Sequence, residues 1–453
     1  MRRGEVAQKP IWVSKFTPAL FMLYEQWEKS KYFRGKLPEW ISVNPTTNIS
    51  FLNSDDLVSF IPMEAVAEDG AGIETQNIAY EKVAQGYTRF SENDLIWAKI
   101  TPCMQNGKSG VARNLSFGVG FGSTEFHVLR PKSEEVNIDF IKHLLTLESF
   151  LTAAQGTFSG TAGQQRVPEQ FLLELPLPLP PINVQRSLVA EMETARAMRQ
   201  SKLAQAESLL KGIDQFVLDE LGLKLPKKIE RKSYATRLKH IKTAQTLNSD
   251  YFHPERMNAL KTIQRNSPRL RVERLADIAD FIRDITTVQE DDNYIGLASV
   301  QSNTGELVEV EETAEGQCFR YQKNDVLFGR LRPYLNKIRC AEEDGVCSTE
   351  FHVIRLRKRS NPKEEISPEY LAVILRSSII LAQTKHMMTG NTHPRLTNDD
   401  VVNLIVPIPR DIKAQSKIVT ELQKRRSQAR SLREEAERQW REAKEKFEKA
   451  LLG

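Results

Sequence analysis

Two Glu-x-His pairs, Glu125 with His127 and Glu350 with His352, are the residues whose types and spacing most invite a chemical reading. A carboxylate two positions from an imidazole can orient it as a general base or share a metal ion with it. Nothing else at ligand spacing accompanies either pair. The four cysteines, Cys103, Cys318, Cys340 and Cys347, form no Cys-x-x-Cys, so reduced thiols are expected and no metal site or disulfide. A second candidate is Phe117-Gly118-Val119-Gly120-Phe121-Gly122, which superficially matches a glycine-rich cofactor loop. Such a loop follows a buried strand and opens a helix, whereas this one runs into a strand predicted at Glu125. No Asn-Pro-Pro-aromatic or Asp-Pro-Pro-aromatic tetrapeptide and no Walker loop is present, so a bound cofactor and ATP-driven translocation are not expected of this chain.

The elements that carry these residues occur twice. Ser123-Thr-Glu-Phe-His-Val128 returns unchanged at Ser348 to Val353, 225 residues on (348 − 123). Upstream, Asn93-Asp94-Leu95-Ile96 with Pro102 parallels Asn324-Asp325-Val326-Leu327 with Pro333, and Phe60 to Val66 parallels Tyr294 to Val300. Downstream, Leu175 to Gln185 parallels Ile405 to Gln415, each leading into a long helical pattern that ends in Leu-Gly, at Leu221-Gly222 and Leu452-Gly453. The chain is built twice.

Composition bounds the rest. At 453 residues, 40 % hydrophobic and 27 % charged, the chain suits two to four folded domains. No run of 18 apolar residues exists and Met1 to Pro10 is basic and polar, which favours a cytoplasmic protein. The net charge of +5 is compatible with nucleic acid without pointing to it alone.

Each half reads as a mixed α+β unit. Trp12, Phe16, Phe21, Trp27 and Trp40 form a helical lead-in, Phe51 to Arg130 alternates as short strands, and Ile138 to Ala154 has apolar residues at helical steps. The second half repeats this plan, with strands around Tyr294 to Val300, Val326 to Phe328 and Glu350 to Leu356 and a helix from about Pro368 to Gln383. Proline-punctuated strands, Leu175 to Pro181 and Val406 to Pro409, close the units. In the first long helix Leu188, Met192, Ala195, Leu203, Ala206, Leu210, Ile213 and Val217 form a stripe with Arg199 as its polar exception. The second repeats this from Ile418 to Ala450, with Arg425 interrupting. These are coiled-coil seams, expected to pair antiparallel, the first helix about 57 Å long from the rise per residue. The division expected is a first globular domain with its lead-in over 1–182, a long helix over 183–222, a linker over 223–247, a second globular domain over 248–410 and a second long helix over 411–453.

Asn324 to Lys337 (NDVLFGRLRPYLNK), Ser348 to Leu356 (STEFHVIRL) and Val406 to Gln415 before a charged helix resemble the target recognition domain and adjoining helix of the specificity subunit of type I restriction-modification systems. The first half is similar more loosely, Lys99-Ile100-Thr101-Pro102-Cys103 standing where the second has Arg-Leu-Arg-Pro-Tyr. The resemblance implies a non-catalytic protein in which two recognition domains each read half of a split DNA target. Two antiparallel helices set the gap and hold methyltransferase subunits, with ATP-dependent endonuclease subunits as a further class of partner. Competing readings are a DNA methyltransferase using Phe117 to Gly122 as its cofactor loop, and a coiled-coil interaction protein.

If the halves read different half-sites, what they share cannot tell the sites apart. The repeated hexapeptide is then scaffold, with Phe126, Val128, Phe351 and Val353 on a buried face and Glu125, His127, Glu350 and His352 opposite. Base reading belongs to segments that diverge: Val66 to Phe90 with Cys103 to Phe121, and Gln301 to Arg320 with Asn336 to Val346. The DNA-contact candidates there and alongside are Arg89, Lys99, Lys108 and Arg113 in the first half, and Arg320, Lys323, Arg330, Arg332, Tyr334, Lys337 and Arg339 in the second. Gln105, Asn106, Gln301 and Asn303 are further polar candidates for adenine.

Overall fold

The computed structural model describes residues 17–452 apart from 162–163, 226–232, 239–240, 242–246, 248, 290, 309, 311–315 and 388–393. Trp12, Phe16, Asn248, much of the 223–247 linker, part of the Gln301–Arg320 segment and Gly453 lie outside the described residues. The chain divides into two units, residues 1–203 with 434–453, and residues 204–433.

In the first unit, helix α1 (Pro18–Glu28) starts at Thr17, whose hydroxyl accepts the Leu20 amide, and buries Leu20, Leu23 and Trp27. Strands β1 (Phe33–Lys36) and β10 (Pro176–Pro178) pair antiparallel. One four-stranded sheet has the order β2 (Ile41–Val43), β9 (Phe126–Pro131), β6 (Leu95–Ala98), β7 (Ser109–Val111), all antiparallel. Every residue of β6 is buried, as its unbroken apolar run requires. The second sheet runs β4 (Gln76–Ala79), β3 (Leu57–Ile61), β8 (Val119–Gly122), β5 (Thr88–Ser91), with β3 and β8 parallel. The helix expected over Ile138 to Ala154 is two helices, α2 (Ile138–Leu144) and α3 (Glu148–Gln155). Thr146 breaks the run by turning its hydroxyl onto the His143 carbonyl at 3.0 Å, and Leu147 is extended.

The second unit repeats the first sheet as β12 (Ala279–Ile282), β19 (Phe351–Leu356), β16 (Val326–Gly329) and β17 (Ile338–Cys340), in matching order and sense. Strands β11 (Leu270–Arg274) and β20 (Ile405–Pro409) form the closing pair. The other sheet shares only three strands with its counterpart. β14 (Tyr294–Ile295), β18 (Gly345–Ser348) and β15 (Gln317–Tyr321) match β3, β8 and β5, but the fourth strand, β13 (Ile285–Thr287), pairs with β15, whereas β4 pairs with β3. Divergence thus reaches the backbone, at opposite sheet edges. Helix α5 (Pro254–Arg265) precedes β11, and the helix expected from Pro368 to Gln383 is again two, α6 (Pro368–Arg376) and α7 (Ser378–Thr384). Ser377 divides them, its hydroxyl donating to the Ile374 carbonyl.

Two long helices, α4 (Ile182–Glu220) and α8 (Ile412–Leu452), contribute to both units. Within the first unit Leu188 and Met192 share a core with Trp440, Phe447 and Leu451, and Glu191 and Arg199 pair with Lys446 and Glu437. Within the second, Ala206 and Leu210 cluster with Ala429, and Glu220 pairs with Lys417. Partner numbers fall as α4 numbers rise, which is the antiparallel seam expected. The buried polar residue on the α4 stripe is Arg196 rather than Arg199. Among the described residues no helix is long and apolar enough to cross a membrane.

Candidate nucleic-acid interface

The repeated hexapeptide is held by side chains that also repeat. Glu125 accepts Arg166 Nε and Nη2 at 2.8 and 2.7 Å, and Glu350 accepts Arg395 in the same bidentate way at 3.1 and 2.7 Å. The bond from Arg166 holds the Glu125 carboxyl below its ordinary range. His127 Nε2 donates to the Val167 carbonyl at 3.0 Å and Nδ1 accepts the Asn44 amide at 3.2 Å, which occupies both ring nitrogens of a neutral imidazole. Burial lowers the pKa of His127 and pushes His352 down to about 4, with the charge of Arg330 adding to the latter. The histidines are therefore buried, and the strand is covered on both faces rather than on the Phe–Val face alone. Neither pair is arranged as a general base or metal ligand.

A second repeated clamp lies next to it. Asp94, fully buried, accepts Arg130 Nε and Nη2 at 2.7 Å each and the Ser91 amide at 2.7 Å. Asp325, 1 % exposed, accepts Arg355 Nε and Nη2 at 2.8 and 2.7 Å and the Gln322 amide at 2.8 Å. In each unit this ties the turn before the buried strand (β6 or β16) to the hexapeptide strand (β9 or β19). The glycines of Phe117 to Gly122 serve packing. Val119–Gly122 is a buried strand, and a Cβ on Gly120 would lie 2.2 Å from the Phe90 ring. A cofactor loop is thereby excluded at this segment.

Counting from Asp94 and Asp325 sorts the basic candidates. Arg89 and Arg320 each stand five residues before the aspartate, exposed on β5 and β15. Arg89 Nη2 donates to the Ala84 carbonyl at 2.8 Å and Arg320 Nη2 to Thr286 Oγ1 at 3.1 Å. Lys99 and Arg330 each stand five residues after, their amides bonded to the Glu125 and Glu350 carbonyls at 2.9 Å. Lys108 and Lys337 also correspond, donating to the Met63 and Leu297 carbonyls at 3.3 and 2.9 Å. These three pairs hold equivalent positions in both units.

The remaining candidates have no such twin. Arg113 is paired with Asp139 at 2.5 Å. Lys323 is exposed beside Asp344, whose carboxylate accepts its amide. Arg332 and Tyr334 are exposed on one turn, and Arg332 and Asn336 adopt left-handed φ of 47° and 54°, conformations that cost a non-glycine residue energy and cluster at binding sites. Arg339 differs from the rest: it is buried against α6, with Glu342 at 3.0 Å and the Gly305 carbonyl at 3.4 Å. Gln105 and Gln301 are bonded within their own loops, to Thr101 and Thr304, and Asn106 and Asn303 to other loops of the same unit, at Glu68 and Asn336.

Sequence reasoning missed Arg130, Arg166, Arg355 and Arg395. The signal was present for the first and third, since an arginine follows each hexapeptide by two residues. Among the described residues, His253, Glu255 and His386 have donor atoms within 4.8 Å of one another, but Lys385 already neutralises Glu255 from 3.2 Å and the two imidazoles stack at 3.4 Å.

Residues 271–435 match the family described as the type I restriction modification DNA specificity domain. The specificity subunit of the type I restriction enzyme EcoEI of Escherichia coli is 35 % identical over 193 residues, 42 % of this chain and 31 % of that protein. The EcoAI specificity subunit of Escherichia coli is 30 % identical over 224 residues, 49 % of this chain and 37 % of that protein. The matches thus span about a third of the length of these curated relatives. A chain solved in work on complex assembly and conformational transition of the type I R-M system superposes with a TM-score of 0.53, covering 93 % of this chain and 97 % of that one, at 17 % identity, which speaks for the fold. The chain is thus similar to type I restriction enzyme specificity subunits, with the DNA specificity domain of that family matched over residues 271–435.

Proposed function

We propose that the chain is a non-catalytic, sequence-specific DNA-binding subunit of a type I restriction-modification complex, each unit reading one half of a bipartite target. The observation that carries this is the split between shared and unshared residues on one duplicated fold. Glu125–Arg166, Asp94–Arg130 and their twins build the same scaffold in both units, while the exposed Lys323, Arg332 and Tyr334 have no basic or aromatic counterparts. Arg89 and Arg320, exposed at equivalent positions, suit contacts common to any DNA, the phosphates; Arg332 and Tyr334, on a strained turn, suit base reading. Arg113 and Lys99 with Arg330 complete the basic surface, Lys108 and Lys337 support its loops, and buried Arg339 is left out of it.

In this reading residues 38–181 and 248–409 are the recognition domains, and 183–221 with 413–452 are the spacer that docks methyltransferase subunits. The continuous helices α4 and α8, of 39 and 41 residues, support that role. Purified chain mixed with S-adenosylmethionine and DNA is expected to transfer no methyl group until a methyltransferase subunit is added. Methylation by the chain alone overturns the reading.

A further inference from the structure

The second unit contains a cavity of about 640 Å³ lined by three arginines from three elements: Arg339 on β17, Arg376 at the end of α6 and Arg426 on α8. Arg339 and Arg376 are 9 % and 8 % exposed. Each of the three donates to a backbone carbonyl. Arg376 Nη1 donates to the Ile338 carbonyl at 2.6 Å, Arg339 Nη1 to the Gly305 carbonyl at 3.4 Å, and Arg426 Nη2 to the Thr304 carbonyl. Carbonyls satisfy N–H groups without cancelling charge.

Three carboxylates line the cavity, Glu306, Glu342 and Glu369, against five cations, Lys323, Arg339, Arg376, Arg426 and Arg430. Glu342 reaches Arg339 at 3.0 Å from a largely exposed side chain, and Glu306 stands 3.9 Å from Arg426 Nε and is shared with Arg433. Nε of Arg339 and of Arg426 is buried with no hydrogen-bond partner. Burial, then the charges of Arg426 and Arg339, push Arg376 down to about 9. Exposed Lys323 and Arg430 line the cavity as well.

This cluster is not part of the duplicated scaffold. Register from β6–β7 and β16–β17 places Gly110 where Arg339 stands, and counting from the starts of α2 and α6 places Thr146 where Arg376 stands. Only Arg426 has a basic twin, Arg196, whose Nη2 bonds the Asp69 carbonyl as Arg426 bonds that of Thr304. Two buried arginines have been added in one unit, around a cavity.

We propose that this cavity binds the phosphate group of a small molecule, either inorganic phosphate or a mononucleotide. Convergent guanidinium groups match a tetrahedral oxyanion with forked, charge-assisted bonds, and a dianion would supply the charge that Glu306, Glu342 and Glu369 leave unmatched among the five cations. The volume lies in the range of small-ligand sites, too small for a duplex to enter. The inference does not depend on the DNA-reading proposal.

Calorimetry and thermal melting of the full chain test it, with inorganic phosphate and adenosine monophosphate as probes and a random-sequence duplex as competitor. Saturable binding of either probe, with a rise in melting temperature, is expected. Arg339→Met is expected to weaken binding at least tenfold. Arg430→Ala, an exposed position, is expected to weaken it severalfold while leaving the ligand-free melting temperature unchanged. Absence of saturable binding to the folded parent, unchanged affinity in both variants, or displacement of the probe by the duplex would each overturn the proposal.

Discussion

The repeated aspartate–arginine clamp gives a stability prediction for each unit separately. In Asp325→Asn one oxygen survives to accept the Gln322 amide, but an NH₂ now faces the Arg355 guanidinium, which donates to both oxygens in the parent. Breaking a buried ion pair from one side costs about 3–5 kcal/mol. Arg355 is 36 % exposed and recovers some hydration, so the lower figure of about 2–3 kcal/mol applies. Arg130 is more enclosed, bonded also to Thr47, Ser91 and the Thr46 carbonyl, so Asp94→Asn is expected to cost about 3–4 kcal/mol. The described tryptophans Trp27, Trp40, Trp97 and Trp440 all belong to the first unit. Urea unfolding followed by tryptophan fluorescence therefore reports the first unit, and circular dichroism reports both. Asp94→Asn should move the fluorescence transition and Asp325→Asn chiefly the dichroism. A double variant with Arg355→Gln should recover part of the Asp325→Asn loss, the uncompensated guanidinium being gone. Either single variant unfolding within about 0.5 kcal/mol of the parent, the range of ordinary surface substitutions, would refute the clamp as a buried structural pair.

Three further outcomes follow. His352 is neutral in the fold, held down to about 4, while the unfolded imidazole titrates near its ordinary value. Below about pH 6.5 the unfolded chain binds the extra proton, so stability falls with pH towards 4, by up to about 3 kcal/mol, and urea midpoints should show it with His352→Gln flattening the profile. Arg89→Ala and Arg320→Ala should each reduce the slope of log affinity against log salt by roughly 0.9 without altering sequence preference, whereas Arg332→Ala and Tyr334→Ala should change preference at one half-site only. Seven residues added to α4 after Leu203 and to α8 before Glu434 keep both stripes in register and lengthen the rod by about 10 Å. The gap between half-sites should grow by about three base pairs at 3.4 Å each, with both half-sites retained; a changed base preference would count against the spacer role.

The duplication, the strand carrying the hexapeptide and the antiparallel helices were all legible, because each rests on local periodicity or on self-comparison. What was not legible depended on partners distant in sequence. Glu125 reads as a reactive group until Arg166, 41 residues on, is seen to occupy both its oxygens. Strand alternation alone places His127 opposite the buried face, and only tertiary packing covers that side with Val167 and Asn44. Arg339 reads as a surface cation from its neighbours Lys337 and Asn336, but β17 turns it onto α6. The split of Ile138 to Ala154 into two helices was written in Thr146, whose hydroxyl competes with the helix for the His143 carbonyl.

Single-molecule sequencing of methylated bases in a host expressing this chain with a type I methyltransferase subunit tests the central claim most directly. Two short motifs separated by a fixed number of unspecified bases are expected, the modified bases falling inside the motifs. A single uninterrupted motif, or methylation unchanged when the chain is deleted, would contradict the account.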